Sequence, residues 1–192
     1  MPDVVGAAIA DAITKPISNR NTNTESEKNA EEIVLEFRKA VADLIDVDPS
    51  GVVYGRSWTQ ITYDFSRTLA KTWKPGDEIV VSRLDHDSNI RPWIQAAEAV
   101  GVTVRWAEFD VATSELSVAA VESVLSSKTK LVAISHMSNV LGTVVDVKSI
   151  CAAAREKGVP VLVDGSQAAV HMPVDVAAMG CDFYAITGHK LY

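Results

Sequence analysis

Hydrophobic positions change rhythm near residue 50. Before it, Val4, Val5, Ala8 and Ile9 form a short apolar stripe, Pro16 to Thr24 is polar and turn-rich, and Ile33, Phe37, Val41, Leu44 and Ile45 recur at helical spacing. The reading is helix, loop, helix over residues 1–50. After it, short β-branched runs alternate with amphipathic stretches. The runs are Val52 to Tyr54, Glu78 to Ser82, Val102 to Phe109, Lys130 to Ser135, Val159 to Val163 and Phe183 to Ile186, with helices predicted at 58–73, 88–100, 117–126 and 146–157.

Runs such as Val161-Leu162-Val163 are apolar without alternation, as strands covered on both faces require, and the segments between them are long enough for crossovers. The expected fold class is therefore α/β, a mostly parallel sheet with helices on both faces, over residues 51–192. Ligands of such sheets bind beyond the carboxyl ends of the strands, and four strand ends carry polar clusters. These are Arg83-Leu84-Asp85-His86-Asp87, His136-Met137-Ser138-Asn139, Asp164-Gly165-Ser166-Gln167 and Thr187-Gly188-His189-Lys190. Taken singly, each is also what turns and helix caps use. Their common position on one sheet edge points to a site.

Composition narrows the classes. The 192 residues carry a net charge of −7, which offers no basic footprint for nucleic acid. No stretch reaches the roughly 18 apolar residues that span a bilayer, and Met1-Pro2-Asp3 lacks a basic signal region, so no membrane is expected and the cytoplasm is the expected compartment. Cys151 and Cys181 have no metal-ligand or disulfide-framework spacing. His86, flanked by Asp85 and Asp87, lacks the further His or Cys that a transition metal wants, so no metal is expected. No G-x-G-x-x-G follows the first strand, which disfavours a nucleotide-binding reading.

A lysine, a buried aspartate and a phosphate-binding turn on one sheet edge suit pyridoxal 5'-phosphate. The lysine amine makes a Schiff base with the cofactor aldehyde, and a carboxylate facing the pyridine nitrogen keeps it protonated, so that the ring withdraws electrons from the substrate α carbon.

The stretch Val161 to Ala169, with His171, Pro173-Val174-Asp175, Cys181-Asp182-Phe183 and Thr187 to Tyr192, resembles the signature region of the class V aminotransferase family. The cysteine desulfurases and selenocysteine lyases are its nearest branches by this likeness. Lys190 follows Asp164 by 26 positions, and Ser135 to Thr143 and Leu84 to Trp93 fit the same pattern. The resemblance covers residues 51–192.

It implies the large domain of a fold-type-I pyridoxal-phosphate transferase, incomplete after the lysine, with residues 1–50 as an N-terminal helical segment. Lys190 would bond the cofactor, Asp164 would pair with the pyridine nitrogen, Gln167 would contact the ring hydroxyl, and His86 would stack on the ring. Lys190 and His86 are the implied catalytic residues. Asn139 would lie near the ring hydroxyl or the substrate carboxylate, and Thr187 with His189 would bind phosphate. The turn before the helix at 58–73, Ser57-Trp58-Thr59, would add phosphate donors, where the desulfurases carry a Gly-Thr-Thr-Glu-like run.

The implied activity is cysteine desulfurase or lyase chemistry on a small amino acid, in a homodimer, with a sulfur-acceptor protein as a further partner. Another class V aminotransferase, lyase or epimerase reaction, or an inactive binding module, are the alternatives. Family enzymes continue past the lysine into a smaller domain that supplies the substrate-carboxylate arginine and the sulfur-accepting cysteine, so the chain is expected to be a fragment or a short paralogue.

Overall fold

The structure, a computed structural model, describes residues 2–191, which form two compact units, one ending at Val53 and the other spanning Tyr54–Leu191. The first contains helices α1 (Asp3–Thr14) and α2 (Glu25–Ile45), the expected helix, loop, helix. The start of α2 is set by a capping box. Thr24 Oγ1 accepts the Glu27 N–H at 3.3 Å, and the Glu27 carboxylate accepts the Thr24 N–H at 2.8 Å. Before the helix, Arg20 makes a two-pronged pair with Glu31 at 2.7 and 2.8 Å, which anchors the loop to the second turn of α2.

In the second unit, helices α3 (Trp58–Ala70), α4 (Arg91–Val100), α5 (Val118–Glu122), α6 (Val147–Glu156), α7 (Ala168–His171) and α8 (Val176–Met179) accompany a five-stranded sheet. Its strands are β1 (Glu78–Ser82), β2 (Thr103–Ala107), β3 (Thr129–Ser135), β4 (Val161–Asp164) and β5 (Phe183–Ala185), in the spatial order β2-β1-β3-β4-β5. Every ladder is parallel.

Val52 to Tyr54, read from the sequence as a strand, joins no ladder. Three residues between Gly51 and Gly55 offer few ladder hydrogen bonds, and Val53 is exposed. The helix expected at 88–100 begins only at Arg91, because Asp87–Asn89 closes a tight 3-10 turn and Pro92 sits in the first helical turn, where its missing N–H costs nothing.

Both sheet faces are covered, which explains the unbroken apolar runs. On one face Ile79, Val81, Leu131, Ala133 and Leu162 pack with Trp58 of α3 and Trp93 and Ala97 of α4. The intervening residues Val80, Val132, Ile134, Val161 and Val163 are fully buried too, and α6, with Ile150 and Ala154 buried, packs on β4. Each such side chain contributes about 1.5–3 kcal/mol of burial free energy.

From β1 the chain crosses to β2 on one side, and from β3 it continues to β4 and β5 on the other. The carboxyl ends of β1 and β3, adjacent in the sheet, therefore mark the point where the crossovers diverge, where an open α/β sheet forms its ligand crevice.

Candidate active site

The strand ends that flank this crevice carry the polar clusters. Asp164 is the last residue of β4, and its side chain is buried, with 5 % exposure. Its Oδ2 accepts the indole N–H of Trp58 at 2.9 Å, and its Oδ1 accepts the Ser166 backbone N–H at 3.0 Å. Trp58, expected at the phosphate turn, gives its side-chain N–H to Asp164 instead, leaving only its backbone N–H for an anion. Ser57 caps α3, its Oγ accepting the Gln60 N–H at 3.2 Å; Ser57 and Thr59 are exposed at the helix start. The first helical turn has N–H groups without intrahelical acceptors, a setting that suits an anion.

After β1 the chain turns through His86. The Ser88 N–H reaches His86 Nδ1 at 3.1 Å and the Ser88 hydroxyl lies 2.8 Å from the same nitrogen, so the ring is held by its Nδ1 edge on an exposed turn. Beside it, Asp85 collects three side-chain donors: the hydroxyls of Ser82 and Ser135, the latter at 2.8 Å, and the Asn89 amide at 2.7 Å. Asn89 in turn accepts the Trp93 indole N–H at 3.1 Å. Burial pushes the Asp85 carboxyl up from 3.8 to about 7; the three donors oppose the rise and the nearby Asp164 adds to it.

Asp85 was not singled out by its sequence context. A signal existed: Asp85, Asn89 and Trp93 are spaced by four, and Ser82 and Ser135 each end a strand.

Past β5, Thr187 is buried and its Oγ1 lies 3.0 Å from His189 Nδ1, while Lys190 closes the 3-10 turn Gly188–Lys190 and is half-buried. The β4–β5 register pairs Asp164 with Ala185, which places the Lys190 turn just beyond the strand next to Asp164. Gln167 follows β4 and is half-buried. Asn139 is exposed in the turn after β3, which is closed by Ser138 N–H to Thr143 O at 2.9 Å. Among the described residues no hydrogen bond joins the side chains of Lys190, Gln167 or Asn139 to the other candidates.

His136 and Tyr184 brace the wall of the site. Tyr184 OH lies 2.9 Å from His136 Nδ1, the His136 N–H donates to Asp164 O at 2.9 Å, and the Tyr184 ring occupies the space a side chain at Gly165 would need. Burial lowers the His136 pKa and raises that of Tyr184, so both are neutral near pH 7 and brace rather than titrate. The Ser166 hydroxyl, also buried, has no hydrogen-bond partner among the described residues.

The family described as aminotransferase class-V matches residues 1–192. The chain belongs to the class-V aminotransferase family. Within it, a cysteine desulfurase of Yersinia pestis (strain Pestoides F) is 48% identical over 158 residues, covering 81% of this chain and 38% of that protein. The apo structure of a cysteine desulfurase from Thermococcus onnurineus NA1 superposes with a TM-score of 0.91 at 29% identity, covering 100% of this chain and 48% of that one. A variant of C-DES with glycine covalently linked to its PLP cofactor superposes with a TM-score of 0.84 at 27% identity, covering 100% and 50%. This class-V chain thus spans about half the length of the solved relatives and less of the curated one. The α/β architecture with its parallel sheet is the one these relatives share.

Proposed function

We propose that the protein is a pyridoxal-phosphate enzyme with cysteine desulfurase-like chemistry, and that residues 51–192 carry its cofactor-binding part. The observation that carries this reading is Asp164. It is a buried carboxylate at the end of β4, next to the strand ends where the crossovers diverge, oriented by two N–H donors, in a chain 48% identical over 158 residues to a cysteine desulfurase.

The donor set fits the group. An ionised carboxylate has about four acceptor positions, so two N–H donors leave capacity for a ring nitrogen. The partnerless Ser166 hydroxyl beside Asp164 marks a buried polar place that the described residues leave unfilled. Thr187, His189 and the start of α3 would take phosphate, Gln167 the ring hydroxyl, and His86 a ring face. Asn139 would lie near the ring hydroxyl or the substrate carboxylate. Lys190 would hold the cofactor covalently.

When bound, the cofactor supplies an electron-withdrawing ring conjugated to the substrate α carbon. The residues do the rest. Asp164 would hold a proton at the ring nitrogen, and the Lys190 amine and His86 Nε2 would be the groups that move protons. The substrate is taken to be cysteine, the partner a second copy of the protein, and the sulfur acceptor another protein.

The test is reconstitution with pyridoxal phosphate followed by borohydride reduction and peptide mapping. The expected result is a stable cofactor adduct on Lys190 and, with a thiol reductant present to free the sulfur, release of alanine and sulfide from cysteine that Lys190→Ala abolishes. A protein that takes up no cofactor, or an adduct that maps to another lysine, refutes the reading.

A further inference from the structure

We infer that the Trp58 side chain is a positioning group for Asp164, serving the ring-nitrogen end of the cofactor site rather than the phosphate end. The inference rests on the proposed cofactor and adds a role that the phosphate-turn comparison does not contain.

Trp58 is the first residue of α3, and its indole crosses 106 positions of sequence to meet Asp164 Oδ2 at 2.9 Å, with 7 % and 5 % of the two residues exposed. The same ring lies in one buried cluster with Ile79, Val81, Trp93 and Leu162, so its N–H cannot swing away without opening the core. An indole is a donor only. It can neither take a proton from the carboxylate nor compete with it for a ring N–H. Since Ser166 N–H holds Oδ1, the plane of the carboxylate is set by two fixed donors before any ligand arrives. A cationic ring nitrogen then meets an acceptor that needs no reorganisation, which is how preorganised sites gain affinity.

One residue also ties two ends of the site together. The backbone of Trp58 opens the helix whose N–H groups would face phosphate, and its side chain fixes the carboxylate. A shift of α3 must therefore move Asp164 as well.

The experiment compares pyridoxal phosphate with its carbocyclic analogue, in which the ring nitrogen is a C–H, by titrating both into the unaltered protein and Trp58→Phe. Benzothienylalanine at position 58, which keeps the bicyclic ring without the N–H, serves where phenylalanine disturbs folding. The expected result is about tenfold weaker binding of pyridoxal phosphate, from the loss of one hydrogen bond to a charged group, with the analogue unchanged. Equal losses for both ligands, or no loss for pyridoxal phosphate, overturn the inference while the cofactor reading stands. An unaltered protein that binds neither ligand overturns both.

Discussion

Replacing Asp85 by asparagine should remove a pH dependence of stability that the wild-type protein carries between pH 5 and 8. In the folded chain the carboxyl sits among Ser82, Ser135 and Asn89 with its pKa raised from 3.8 to about 7, chiefly by burial. A raised carboxyl pKa means that the folded state holds the proton longer than the unfolded chain. Stability from this group is therefore greatest below the unfolded pKa and falls as pH rises to the folded one, flattening above it. Integrating between pH 5 and 8 gives a loss of about 2.5 kcal/mol, or about 5–10 °C in Tm for a chain of this size.

Asparagine resembles the protonated form. Its oxygen, in place of Oδ1, can accept from Asn89 and Ser135, and its amide, in place of Oδ2, can donate to the Ser82 hydroxyl. Asp85→Asn should thus match the wild type only below about pH 4 and exceed it by about 1.5 kcal/mol at pH 5 and about 4 kcal/mol at pH 8, a change of about 2.5 kcal/mol across the series. Buried His136, whose pKa is lowered, gives both proteins an opposite trend, with stability lost as pH falls, so the difference between the two proteins is the quantity to read. Thermal unfolding of the pair at pH 5, 6, 7 and 8 supplies it. A Tm difference that stays constant across the series refutes the reasoning.

Two other outcomes follow from the same structure. Gly165→Ala places a methyl group in the ring of Tyr184 and should cost about 3 kcal/mol, whereas Gly6→Ala, a helical position with nothing near its side chain, should stabilise by up to about 1 kcal/mol; denaturant unfolding of both variants checks the pair, and equal midpoints would count against the packing described. Cys151 and Cys181, with thiol pKa values pushed up to about 12 and about 11 by burial, carry on the order of 10⁻⁴ and 10⁻³ thiolate at pH 8, so a thiol reagent should label neither until denaturant is added; rapid stoichiometric labelling of the native protein would contradict this.

Much of the architecture was legible in the chain itself. The unbroken runs at 79–82 and 161–163 have the signature of strands buried on both faces, and the parallel sheet follows from that and from the crossover lengths. The polar residues after each run were legible for the same reason: a strand that enters the core must turn polar where it leaves. Val52 to Tyr54 misled because composition reports what a strand prefers and not whether a neighbour exists to pair with it.

What the sequence determined, then, was local: which segments are helix or strand, which faces are apolar, and that Asp164, His86 and Lys190 fall at strand ends. Tertiary structure decided the partners. Trp58 reaches Asp164, Ser135 reaches Asp85, and Tyr184 covers Gly165, because the order β2-β1-β3-β4-β5 brings those strand ends and the start of α3 to one edge. Hydrophobic periodicity records the direction a side chain faces along its own element. It holds no record of which distant donor will stand opposite, and in this site those distant donors set the electrostatics.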